Sequence, residues 1–303
     1  MSEIILIVIG LALFEIVSSL DNAVINAEVL STTSEKAKKW FLLWGMVFAV
    51  FVIRGILPLA IVWLSVPDIS FLEAFRASFT SDETARMAIE NSAPLLLLGG
   101  GIFLALLFLH WLFLEEKDFG LPHERFFQKQ GIWFYAMASI LLSGLVYNAV
   151  KLSPMLAFAA TIGSTAFFII HGFKENAEKL EEGLIENSKK SDFSKILYLE
   201  AIDATFSIDG VLGAFAFTMS IPLILIGNGL GAIMVRQLTI GNINHIKKYK
   251  LLKNGAMYSI GFLGSSMILE SFGAHIPSAL APTVTILIIG YFFLKSKKIN
   301  IAI

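Results

Sequence analysis

Phe14-Glu15-Ile16-Val17-Ser18-Ser19-Leu20-Asp21-Asn22-Ala23-Val24 sets two carboxylates and an amide inside an otherwise apolar run, Ile4–Val29. A helix of about 20 apolar residues crosses a bilayer core about 30 Å thick, so this run has the length of a span. A carboxylate at bilayer depth costs roughly 2.5–3.5 kcal/mol or more, and such groups usually line a substrate or ion path. The phrase recurs as Asp203-Ala204-Thr205-Phe206-Ser207-Ile208-Asp209-Gly210. Each copy reads carboxylate, five residues, aspartate, with Ser19 matching Ser207 and Leu20 matching Ile208.

The rest of the chain has the composition that such a span requires. Of 303 residues, 56% are hydrophobic and 16% charged, 26 are Phe, and the mean hydropathy is +0.76. Soluble domains carry about 25% charged residues, and this chain could not supply their polar surface. An all-α polytopic membrane protein is therefore expected, as one transmembrane domain over residues 1–303. No cysteine is present, which excludes disulfides and thiolate metal sites. The first apolar run lacks a basic leader segment and carries Glu15 and Asp21, so it is not read as a cleavable signal peptide.

Nine apolar stretches have spanning length: Ile4–Val29, Phe41–Val66, Ala93–Leu114, Ile132–Val150, Pro154–Ile170, Ile196–Met219, Ile221–Ile240, Gly255–Phe272 and Pro277–Leu294. Only Lys151-Leu152-Ser153 separates the fourth from the fifth, a tight hairpin. Phe71, Phe75 and Phe79 recur at helical spacing in one longer connection and point to an interfacial helix. The other connection, His171–Ser194, reads as a solvated helix or linker. With nine spans, 18 of the 23 basic residues fall on one side, and Arg76, Arg86 and Lys151 on the other. By the positive-inside rule the N-terminus is expected outside and the C-terminus in the cytoplasm, in a plasma (bacterial inner) membrane.

This topology runs spans one and six in opposite directions. The likeness continues into the following spans, where Gly45 and Arg54 are nine residues apart, as are Gly227 and Arg236. Twice-occurring, oppositely directed units are the signature of an inverted-repeat transporter with a site near mid-membrane. Residues 1–114 are read as the first repeat, 115–193 as linking helices and a cytoplasmic connection, 194–272 as the inverted second repeat, and 273–303 as the last helix and tail. The glycine runs Gly99–Gly101, Gly227/Gly229/Gly231 and Gly261/Gly264 are expected to allow close helix packing.

At 1.5 Å per residue, Glu15 lies about 16 Å from the outer end of span one, and Asp203 roughly 10 Å from the inner end of span six. Their depths nearly coincide. Glu15, Asp21, Asp203 and Asp209 would repel unless a cation or protons intervene. With Arg54 and Arg236 as counter-ions the set carries −2, which one divalent cation would neutralise; that count leaves out Glu200, near the cytoplasmic edge. Asn22, Asn26, Ser207 and, more weakly, Ser18 and Ser19 complete an all-oxygen ligand set. Oxygen ligands suit Mn²⁺ or Ca²⁺, whereas Zn²⁺ and Cu²⁺ favour Cys and His. The five histidines are placed outside the spans or at their ends. Residues six apart on a helix sit about 120° off one another, so Glu15 and Asp21 cannot share a face. A break near Ser18–Leu20, and another eased by Gly210, would resolve this and free carbonyls for the ion.

On the motifs Phe14–Val24 and Asp203–Gly210, the chain resembles the TerC-like integral membrane proteins, and within them a branch of unknown function. Those proteins belong with the lysine-exporter superfamily, several branches of which are implicated in manganese export. The resemblance implies Glu15, Asp21, Asn22, Asp203 and Asp209 as ion-site residues. Gly210 and Ala214 stand where the first copy has Asn22 and Asn26, so the implied site is asymmetric.

The expected function is thus export of divalent cations, Mn²⁺ foremost, with proton antiport as the energy source; Ca²⁺/H⁺ exchange by the same site is an alternative. No nucleotide-binding loop, organic cofactor or nucleic-acid partner is implied. The partners are the ion, the lipid bilayer and a coupling proton, and the oligomeric state stays open. The chain is read as a transporter and not an enzyme. Two membrane aspartates could instead form an intramembrane protease dyad, though no Gly-x-Gly-Asp phrase occurs. A third reading is a non-transporting assembly or stress-resistance protein, of the tellurium-resistance type, whose buried charges are structural.

Overall fold

A computed structural model describes residues 2–45, 47–65, 70–79, 83–117, 119–186, 191–241 and 248–301; some side chains within helices, Asp21 among them, fall outside the described set. Among the described residues every regular element is helical. In chain order these are α1 (Ser2–Ser18), α2 (Leu20–Ser31), α3 (Glu35–Trp40), two π-helical segments (Phe41–Gly45 and Phe48–Ile53), α4 (Arg54–Ser65) and α5 (Phe71–Phe79). They continue as α6 (Glu83–Phe113), α7 (Pro122–Gln128), α8 (Trp133–Leu152), α9 (Pro154–Glu186), α10 (Asp192–Ala214), α11 (Ile221–Gly241), α12 (Leu252–Ser271) and α13 (Leu280–Ile301).

All nine apolar stretches fall on helices, yet they do not all have the character of a simple span. Four are long and apolar enough to cross a membrane: Asn91–Phe113, Trp133–Leu152, Pro154–Asn176 and Leu280–Lys298. The bent pair α1–α2 makes a fifth. Arg54–Leu64 and Ile221–Gln237 are shorter apolar helices. The second stretch is interrupted by its π-helical turns, and α10 carries Glu200, Asp203 and Asp209 within its apolar run.

Local chemistry sets several boundaries. Ser34 caps α3 by accepting from the Ala37 N–H at 3.3 Å, and Ser191 caps α10 by accepting from Ser194 N–H at the same distance. Between α8 and α9 a single extended residue, Ser153 (φ −162°, ψ 135°), makes the hairpin, as the residue before a proline must leave the helical region. Phe71, Phe75 and Phe79 are all solvent- or lipid-accessible on α5. Both longer connections are largely helical: α6 begins at Glu83, and α9 runs on to Glu186, the helix alternative expected for His171–Ser194.

α6 forms the centre of the main core, with Leu98, Ile102, Phe103, Leu104 and Leu106 fully enclosed. Gly101 lies against the Gly264 carbonyl and Gly261 against the Phe108 ring, so α6 and α12 cross antiparallel at very close range. Gly99 meets the Ala159 carbonyl of α9 in the same manner. These approaches have the small-residue character of helix pairs in lipid. Outward, α8 and α13 present large apolar side chains, including Ile140, Val150, Leu287 and Leu294, at more than half exposure. Such surface is costly in water and suited to hydrocarbon.

Candidate functional site

α1 and α10 bring the two acidic phrases together. Phe14 abuts Gly213, Glu15 abuts Gly210, and Asn22 meets Asp203, so residue numbers rise on one helix as they fall on the other. The two segments therefore cross in opposite directions. Gly210 leaves room for the carboxylate there: a Cβ would stand 2.6 Å from Glu15 Oε2. Gly227 and Gly231 of α11 admit Leu11 and Glu15 in the same way.

Arg54 donates to Glu15 Oε1 from Nη2 at 2.5 Å and from Nε at 3.2 Å, and its Nη1 lies 3.6 Å from Asp203 Oδ2. Ser19 Oγ donates to the same Glu15 oxygen at 2.7 Å. Asn22 Nδ2 donates to Asp203 Oδ1 at 2.6 Å. Arg236 Nη2 reaches both oxygens of Glu200 at 3.2 Å and Asp203 Oδ2 at 3.4 Å. All these side chains are buried, Glu15 and Arg54 almost completely. Asp203 thus joins two arginines, one from each candidate repeat.

The π-helical segments help to place both arginines. Arg54 Nη1 donates to the Ala49 carbonyl at 3.2 Å, and Arg236 Nη1 to the Phe41 carbonyl at 2.8 Å, with the guanidinium 4.1 Å above the Phe41 ring. Widened turns of this kind often mark functional sites. Gly45 permits the Glu200–Arg236 pair, since a Cβ there would collide with both side chains. Gly45 and Gly227, matched in sequence, each receive a side chain from the first helix of the other candidate repeat, Glu200 at Gly45 and Leu11 at Gly227.

Asp209 has a different cationic partner, with its Oδ2 2.5 Å from Lys174 Nζ. Lys174 is buried on α9, where the sequence placed a solvated connection. It follows Phe167 and His171 at seven- and three-residue spacing, so the inner face of α9 simply continues through the charged stretch. Glu200 is likewise a full member of the cluster. Asn228, an amide within an apolar stretch, was also missed; it is fully buried and donates to the Gly210 carbonyl at 3.3 Å. Adding Glu200 and Lys174 to the expected set, with Asp21 still counted, sets five acids against three cations, so the formal sum stays at −2.

The remaining expected residues divide. Asn26 is buried with its Oδ1 unpartnered. Ser207 Oγ donates to the Asp203 carbonyl at 2.6 Å, and Ser18 Oγ to the Glu15 carbonyl at 3.3 Å. Asp21 lies in α2, and its side chain is outside the described residues. α1 and α2 meet at 53°, the bend expected near Ser18–Leu20. Two carbonyls at the bend stay bonded, since Ser19 N–H donates to Glu15 O at 3.0 Å and Ala23 N–H to Ser19 O at 2.9 Å. α10 runs through Gly210 without interruption, so the bend is confined to the first copy.

Among the described residues, Glu15 Oε2, Asn22 Oδ1, Asn26 Oδ1, Asp209 Oδ1 and Asn228 Oδ1 of this region are buried without a hydrogen-bond donor, as are Glu124 Oε1 and Thr285 Oγ1 elsewhere. Buried acceptors are nearly always satisfied, so a group of unsatisfied oxygens is an environment that would welcome a cation or proton. A cavity of about 490 Å³ leads to Asp209 past Ser18, His110, His171, Lys174 and Glu175. Neither Glu15 nor Asp203 lines it. Among the described residues the central carboxylates are not drawn into a compact ligand trio; arginines occupy the space between them.

Fold, composition and buried charge together define an all-helical polytopic membrane protein. The chain belongs to the family described as "Protein of unknown function (DUF475)", whose model matches residues 20–302. Over 88 residues it is 30% identical to the "Uncharacterized membrane protein YceF" of Bacillus subtilis (strain 168), a stretch covering 29% of this chain and 34% of that protein. No solved structure matches.

Proposed function

We propose that this protein is a transporter of divalent cations, Mn²⁺ first and Ca²⁺ second, working through the carboxylates of α1 and α10. The observation that carries the reading is the meeting of Glu15, Asn22, Arg54, Asp203 and Arg236 in one buried cluster with donor-free oxygens beside it. In this reading Arg54 and Arg236 hold the acids while the ion is absent. The arriving cation competes with the guanidinium groups for the same oxygens, and an all-oxygen set favours Mn²⁺ or Ca²⁺ over Zn²⁺. Proton exchange at the same carboxylates is proposed as the driving reaction. Alternating access would follow from the two oppositely directed units rocking about their shared site.

The resemblance to TerC-like proteins and the lysine-exporter superfamily agrees with this reading. Export is favoured by the cavity at Asp209, which opens among Glu115, Glu175 and Lys253 on the side assigned to the cytoplasm by its basic loops. A plasma-membrane location with the N-terminus outside belongs to the same proposal.

One observation favours a second reading. Glu15, Glu200, Asp203 and Asp209 each have a cationic partner within 4 Å, as in a static scaffold of ion pairs. Transport decides between the two. Proteoliposomes containing the purified protein and a proton gradient should accumulate or release ⁵⁴Mn²⁺, and the Asp203→Asn variant should not. Equal fluxes from wild type, Asp203→Asn and empty liposomes would favour the scaffold.

A further inference from the structure

We propose that His110, His171 and Glu175 form a second cation site at the mouth of the cavity, one that takes a transition metal of the Zn²⁺ class. Nothing in the carboxylate reading requires it, and the two stand or fall separately. His110 comes from the last turn of α6, while His171 and Glu175 lie four residues apart on one face of α9. One ligand atom from each falls within 4.8 Å of the others.

The two imidazole centroids are 3.8 Å apart, inclined at 57°. His110 Nδ1 and His171 Nε2 are shielded from solvent yet have no hydrogen-bond partner, although Glu175 Oε1 lies 3.4 Å from His171 Nε2. Phenylalanines hold the rings in place: His171 stacks on Phe167 at 5.6 Å, and His110 meets Phe134 edge-on at 5.5 Å. Two shielded ring nitrogens without a partner are poorly satisfied as they stand, whichever tautomer each ring carries. A cation bound by both nitrogens and by the carboxylate satisfies all three groups.

The donor set decides the ion. Two imidazoles and one carboxylate are preferred by Zn²⁺ and neighbouring transition metals, whereas Mn²⁺ and Ca²⁺ favour oxygen. Three protein ligands leave a coordination position open toward the cavity, as in exchangeable metal sites. Such an ion would sit beside Lys174, the partner of Asp209.

Cobalt(II), a coloured substitute for zinc, provides the test. Full-length protein in detergent, stripped with a chelator, is titrated with CoCl₂ and followed in the visible region. One equivalent should give the intense d–d bands of a low-coordinate site with nitrogen ligands. His110→Gln and His171→Gln should each lose them, and Glu175→Gln should weaken binding. The Glu15→Gln/Asp203→Asn variant should keep them, which separates this site from the central one. On the unmodified chain, Zn²⁺ should shield His110 and His171, but not His123, from diethylpyrocarbonate. Wild-type protein without these bands, or equal modification of His171 with and without Zn²⁺, would overturn the proposal.

Discussion

Asn22 and Asp203 are 181 residues apart in the chain, and the amide of one donates to the carboxylate of the other at 2.6 Å in the buried centre of the protein. Asn22 is the residue that the second phrase replaces by Gly210, so this amide of the first copy reaches an acid of the second. Replacing it by a carboxylate would set two anions against each other where little water can screen them. Asn22→Asp is therefore expected to lower the melting temperature of the purified protein, and Mn²⁺ or Ca²⁺ to restore much of the loss. A thermal shift assay with and without the ions measures this, and an unresponsive melting temperature in both conditions would count against a cation site here.

Arg54 is the pivot between Glu15 and Asp203, nearly sealed from solvent. Removing one partner of a buried ion pair typically costs about 3–5 kcal/mol because the other charge is left uncompensated. Arg54→Gln should therefore destabilise the fold strongly, and Glu15→Gln in the same chain should recover much of the stability. Manganese flux should stay absent in both. Flux returning with stability in the double variant would reduce these groups to scaffolding.

Gly45 and Gly144 make a paired test of packing. A methyl group on Gly45 would strike the Glu200 carboxylate and stand 2.6 Å from Arg236 Nη1, whereas around Gly144 there is open space. Gly45→Ala should lower stability by about 1–3 kcal/mol, the usual range for overpacking. Gly144→Ala should be neutral or stabilise by up to about 1 kcal/mol through helix propensity. Denaturation monitored by circular dichroism compares them directly.

These contacts also mark how far the amino-acid sequence could be read. Duplicated carboxylates and arginines were visible because charge is rare in apolar runs, and the glycine runs around Gly99–Gly101, Gly227 and Gly261/Gly264 pointed to close approaches that the structure contains. The bend at Ser19 followed from the angular mismatch of Glu15 and Asp21, though the bonds that Glu15 O and Ser19 O keep across it did not. Lys174 and His171 were hidden because hydropathy falls where α9 leaves its apolar stretch, while the helix and its inner face continue. His110 and His171 are remote in sequence, and only the packing of α6 against α9 pairs them. Nine apolar stretches gave helices, yet the π-helical turns before Arg54 left no periodic trace.

The absence of native cysteine makes topology easy to test. Single Ser2→Cys and Lys297→Cys variants are exposed, in intact cells, to a membrane-impermeant maleimide. Labelling is expected at residue 2 and, at residue 297, only after the membrane is opened. The opposite pattern would invert the proposed direction of the cavity and with it the argument for export.

The most direct test of the carboxylate account is an anomalous-difference map from crystals grown with Mn²⁺. The account expects a peak bounded by Glu15, Asn22, Asp203 and Asp209, with Arg54 or Arg236 drawn back from its acid. Well-ordered crystals with the arginines still clamped on Glu15 and Asp203, and manganese bound only elsewhere, would contradict it.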